Sequence, residues 1–237
     1  MRRVLTDAAA RCERQFRHPA GRPYADIARV PASVAAMTAP AADPTRRWLA
    51  FAVALFLLGL AWTAVDIALD RTPKLRHRAT LDSAYFAFAL WVGAAALLLR
   101  APAAEWGGPS GSVRVARWCW ALGAVMFWLH VAVAFHFAHR WSHANGIRHV
   151  EETSGFGPGL FVSYFFTLLW AADAGWWTTR PASYARRPRW LGIGIQAFMA
   201  FVVFNGTVVF GHTPMREVSG GIFAVLAGVL VVEWWKP

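Results

Sequence analysis

Charge is scarce in this sequence. Asp, Glu, Lys and Arg together make up 16% of its 237 residues, against roughly 25% in ordinary soluble domains. A soluble chain of this length needs more charge to cover its surface, so a water-soluble globular domain is excluded as the starting point. Acidic residues are scarcer still, 13 against 24 basic ones, and the net charge of +11 is carried almost wholly by arginine. Cysteine is nearly absent. Cys12 lies in a basic leader and Cys119 in an apolar run, so no disulfide framework is expected. CxxC and CxxCH do not occur, which removes covalent haem attachment.

What the chain has instead is hydrocarbon. Hydrophobic residues reach 57%, and there are 14 tryptophans, whose amphipathic indole favours the membrane–water boundary. The solvent these proportions imply is lipid. The arginines fall in short stretches between apolar runs, where they set topology, so nucleic acid is not an expected partner.

Residues 1–47 hold nine arginines, several Ala/Pro pairs and no long apolar run. Ala8–Ala10 is too short for the core of a secretory signal, and Arg11 interrupts it. Thr38–Pro44 reads as a linker, and Met37 is an alternative start. The expectation is a flexible, basic, cytoplasmic N-terminal tail over 1–47, followed by a membrane domain over 48–237.

Six apolar runs follow, each near the roughly 20 residues that span hydrocarbon. They are Trp48–Leu69, Asp82–Leu99, Trp118–His139, Phe156–Thr178, Trp190–Gly211 and Val218–Trp235. Each must be helical, because an open strand edge cannot satisfy its backbone in lipid. The predicted fold is therefore all-α, a polytopic six-helix transmembrane bundle with short loops. With the N-terminus inside, the inner segments hold 17 Lys and Arg and the outer ones 7, which predicts cytoplasmic N- and C-termini in a bacterial inner membrane. The expected surroundings are the lipid bilayer and other membrane subunits.

Five of the eight histidines lie between His130 and His149. If the third helix continues, His136, His139 and His143 share an arc of about 60° and form a ladder at its outer end. His130 points elsewhere, about 120° away by the same periodicity. Counting crossings brings His212 to the same membrane face, together with His149, Glu151 and Glu152. Asp66, Asp70, His77 and Asp82 lie around the first outer loop, and Met215 offers a soft donor. Imidazoles on adjacent helical turns pre-form part of a transition-metal site, and a ligand from another helix closes it. The expected ligand set is His136, His139, His143 and His212, with His149 and Glu152, for Cu, Zn or Fe. The bland alternative is a group of interfacial histidines bound to water or headgroups and favoured by the helix dipole.

The functions this implies are a membrane metalloenzyme, a metal-handling protein or an accessory subunit; the sequence does not decide whether the chain is an enzyme. A second reading is a b-type haem protein in electron transfer, with His136 or His139 opposite His212. A third is a structural subunit without cofactor. Membrane desaturases and hydroxylases surround two irons with several separated histidine boxes; one cluster is present here, and the chain is not placed among them.

Three further polar features fall in apolar runs. Asp173 is a candidate proton relay, or a carboxylate reaching the inner interface near Arg180. Asn205-Gly206-Thr207 interrupts the fifth run, either for helix packing or as a broken helix lining a cavity. Gly155-Phe156-Gly157-Pro158-Gly159 lacks the lysine of a phosphate loop and reads as a turn into a helix.

Overall fold

The computed structural model describes residues 44–69 and 73–235. The expected tail therefore lies outside the described residues up to residue 43, as does Asp70. Helix α1 is Pro44–Ala68, α2 Pro73–Leu98 and α3 Gly111–Phe137, with a 3-10 turn at Ala103–Gly107 between the last two. Helix α4 is His143–Ser154, α5 Gly159–Thr179 and α6 the short Pro181–Ala185. Helix α7, Arg189–Phe204, runs on into a π-helical turn at Asn205–Val209, and α8 is Met215–Trp234. No strand occurs among the described residues.

Five of these helices are long and apolar enough to cross a membrane, and α4 with α5 makes a sixth if that pair, bent by 107°, counts as one span. The limits follow from local chemistry. Proline opens α1, α2 and α6, where its missing N–H costs nothing. Helix α1 so begins at Pro44, four residues before the expected first run.

The region between the third and fourth runs departs from expectation. It contains a whole helix, α4, capped by Ser142, whose hydroxyl accepts from the Asn145 N–H. Its other end is closed by Gly155 in the left-handed conformation, at φ 72°. The Glu151 carboxylate accepts from the Gly157 N–H and ties that end to the following turn.

The buried centre sits between α2, α3 and α5. Trp120, Trp170, Phe166, Leu90 and Met126 are essentially inaccessible there. Gly123 permits this: a Cβ at that position would stand 2.9 Å from the Trp170 ring and 3.3 Å from Leu90. Helices α7 and α8 sit at the periphery, with only 11% and 6% of their apolar windows buried in protein. Among lipid tails, apolar burial between helices supplies little driving force, so packing and buried polar contacts must hold such a bundle.

The clearest of those contacts is at the arginine-rich end. Asp173 does not reach toward Arg180. Its Oδ2 accepts from the Trp120 indole N–H and from the Tyr184 hydroxyl, each at 2.9 Å. Its Oδ1 lies 3.6 Å from the Arg187 guanidinium, and both side chains are almost fully buried, at 1% and 4% exposure. Arg187 also lies 3.6 Å over the Tyr184 ring. Burial, then the adjacent Asp173, pushes the Tyr184 phenol well above its ordinary range, so it remains a donor. One carboxylate thus fastens α3, α5, α6 and the lead-in to α7.

Candidate functional site: a histidine-lined cavity

The ladder of His136, His139 and His143 does not form. Helix α3 ends at Phe137, because Arg140 and Trp141 both take positive φ, 52° and 57°. The Trp141 N–H turns back to the Phe135 carbonyl, and the Ser142 N–H to that of His139. A continuous helix is therefore broken between the second and third histidine. His136 is exposed, and its Nδ1 accepts from the Trp141 indole N–H at 3.4 Å. His143 opens α4 and pairs with the Tyr164 hydroxyl at 2.7 Å. His139 is buried, its ring 5.3 Å from Phe135 and 5.3 Å from His149. Glu152 is exposed on α4. Among the described residues, no three His, Cys, Asp or Glu side chains stand together in a group that could hold a metal ion. The structure does not bring the expected ligands His136, His139, His143 and His212 into one such group.

A different set does converge. His130 of α3, His149 of α4 and His212 of the α7–α8 connection line one cavity of about 400 Å³, with Met215 beside them. That volume falls in the usual range of small-molecule sites. Aromatic side chains make much of the wall: Tyr85, Phe88 and Trp91 from α2, Phe127 from α3, Phe166 and Trp170 from α5. His130, which periodicity placed away from the cluster, is the best-held of the three. Its Nδ1 lies 2.9 Å from the Thr80 carbonyl oxygen. A carbonyl can only accept, so Nδ1 carries the proton and Nε2 keeps its lone pair. Metal-ligating imidazoles are oriented in this way.

The α7 side of the cavity is built by the interrupted run. The Phe210 N–H bonds to the Asn205 carbonyl five residues back, and the Asn205 amide donates to the Phe201 carbonyl. Such π turns concentrate at functional sites. Gly206 and Thr207 both line the cavity. A Cβ at Gly206 would meet nothing within 4 Å, whereas one at Gly211 would collide with the Thr207 carbonyl. Of the two readings of Asn205-Gly206-Thr207, the cavity-lining one matches this geometry.

The Asp82 carboxylate is otherwise engaged. Asp82 accepts from the Trp62 indole at 2.9 Å and from Arg78 at 3.3 Å, and Asp66 is buried beside it. The His77 side chain lies outside the described residues.

His139 provides a pH test. Burial, then the neighbouring His149, holds its imidazole below the ordinary value of 6.5. The unfolded chain takes up this proton first as pH falls through 6.5, and the folded chain only at lower pH. Stability attached to neutral His139 is therefore present above that value and is lost as pH falls below it. The melting temperature of the purified protein should drop between about pH 7.5 and about pH 5.5, and His139→Gln should flatten that drop. An equal drop in the variant would show that His139 is not responsible.

Fold and cavity together define a class: an all-helical protein, with five or six helices long and apolar enough to cross a membrane, enclosing a histidine-lined cavity. No protein-family model, curated protein or solved structure matches the chain.

Proposed function

We propose that this is an integral membrane protein that holds haem b in the cavity, as an electron-transfer protein or subunit. The observation that carries this reading is the convergence of His130, His149 and His212 on one aromatic-walled space of about 400 Å³. These imidazoles share a cavity without forming a three-ligand group for a single ion. A broad, flat cofactor with an apolar periphery would suit an aromatic-walled cavity with separate imidazoles better than a bare cation. His130, its tautomer set by Thr80, and His212 would hold the haem, which would supply one-electron chemistry. Asp173, in this reading, anchors helices and relays no proton.

Haemin titrated into the detergent-purified protein should saturate at one equivalent with a sharp, shifted Soret band. A chain that binds no haemin in this titration, and carries no iron as purified, would overturn the proposal. A second reading rests on the His139 and His149 rings, 5.3 Å apart: a transition metal held by that pair, with water completing its coordination. Metal analysis of the same preparation separates the two, since a Zn- or Cu-loaded, haem-free protein favours the ion.

The proposed setting is a bacterial inner membrane with both termini cytoplasmic. Its support is the Lys/Arg excess and the even number of crossings when α4 and α5 count as one span. Reporter fusions at Thr38 and after Trp235 should both report the cytoplasm; a periplasmic signal from either would reverse or break this topology.

A further inference from the structure

At the arginine-rich end a second cavity, of about 550 Å³, lies between α2, α7 and α8. Leu98 and Leu99 close α2 on it, Gly192 and Ile193 open α7, and Ala200 and Leu230 continue the wall. On α7 the lining from Gly192 to Ala200 extends about 12 Å at 1.5 Å per residue. The two peripheral helices that frame this space bury little of their surface in protein. Hydrocarbon walls around an empty space lose dispersion contacts, so a hydrocarbon occupant is favoured.

The depth and charge of its mouth narrow the occupant further. Trp190, Trp234 and Trp235 are 73%, 79% and 80% exposed at this end, and exposed tryptophans of this kind collect at headgroup level. Arg100 follows Leu99 directly, and Arg189 stands three residues before Gly192. Both are exposed, and neither side chain has a hydrogen-bond or ion-pair partner among the described residues. Glu233, in the last turn of α8, is engaged in an interaction of its own. An apolar slot whose lining is followed along the chain by two exposed arginines, beside tryptophans at headgroup depth, is complementary to one class of molecule. Its hydrocarbon chain fills the slot, and a phosphate can take bidentate bonds from arginine.

We propose that this cavity is a binding site for an anionic glycerophospholipid, with an acyl chain between α2, α7 and α8 and the phosphate on Arg100 and Arg189. The inference is independent of the histidine-lined cavity and stands whether or not haem binds there.

The test is native mass spectrometry of the full-length protein in detergent, with dioleoyl phosphatidylglycerol or dioleoyl phosphatidylcholine added. The wild type should retain phosphatidylglycerol more strongly, by about fivefold for each arginine engaged. The double variant Arg100→Gln/Arg189→Gln should retain the two lipids equally. Ala200→Phe, which fills the slot, should lower retention of both. If Ala200→Phe does not fold, the arginine pair decides, because those exposed side chains make no hydrogen bond or ion pair among the described residues. Equal retention by the wild type, or a preference that survives in the double variant, overturns the proposal. So does displacement of the lipid by excess glycerol 1-phosphate, which would mark a site for a soluble anion.

Discussion

Asp173→Ala is expected to destabilise the purified protein by about 3–5 kcal/mol, because removing one member of a buried ion pair leaves the other charge uncompensated. The loss is compounded here. The substitution strands the Arg187 guanidinium, at 4% exposure, and leaves the Trp120 indole and Tyr184 hydroxyl without their acceptor. In a chain of this length that corresponds to a drop in melting temperature of roughly 10 °C. Arg187→Ala should cost a similar amount. The double variant Asp173→Leu/Arg187→Leu should lose less than the sum, since no unpaired charge then remains buried. The measurement is thermal unfolding in detergent, followed by tryptophan fluorescence or by loss of the monodisperse peak. A carboxylate that served only as a proton relay would leave the melting temperature where it was. An unchanged Asp173→Ala therefore refutes the anchor and restores the relay.

Gly206→Ile should abolish haemin binding while leaving the protein folded. Gly206 lines the cavity, and a Cβ there would meet nothing within 4 Å, so a bulky side chain can be added at the wall without displacing backbone. Replacing glycine near the end of a helix also removes a conformational cost of its own. His130→Ala deletes the imidazole whose tautomer the Thr80 carbonyl sets. Outer-shell partners of a metal ligand are worth roughly 10- to 100-fold in affinity, so loss of the ligand itself should cost at least that much. His136→Ala is the control, since that ring faces Trp141 on the exposed surface. The readout is the Soret titration applied to the proposed function. Unaltered affinity in both Gly206→Ile and His130→Ala would empty the cavity of its assigned role. Equal loss in His136→Ala would return the site to the α3 end.

Much of the architecture was legible in the apolar runs. Their lengths correctly anticipated helices over α1, α2, α3, α5, α7 and α8, although α1, α2 and α3 begin earlier than their apolar runs. Helix α4 was missed, although its signals were present: Ser142 as an N-cap, a twelve-residue stretch after it, and Gly155 as the closing residue. It was obscured because its residues are polar, and polar segments between apolar runs read as loops. The end of α3 had no comparable signal. Periodicity carried the helix through His139 and His143, and nothing local requires Arg140 and Trp141 to adopt positive φ, which non-glycine residues seldom do. Packing of Trp141 against Phe135, 6.2 Å between ring centres, accompanies that turn.

The site followed the same division. That His149, His212 and Met215 would come near one another, and that the Asn205–Thr207 break lines a cavity, could be read from residue order. Which imidazoles share a space could not. His130 was set aside because it sits on another face of α3, and its partner is a backbone carbonyl of α2, invisible to any residue pattern. Asp173 likewise read as a proton relay or as a carboxylate reaching the interface near Arg180, when the cation that meets it is Arg187, carried back by the turn through α6. By itself the sequence determined helix content and approximate limits, because apolar length and capping residues act within a few turns of one chain. Only the tertiary structure decided which side chains meet, because that depends on where separate helices cross and where each one stops.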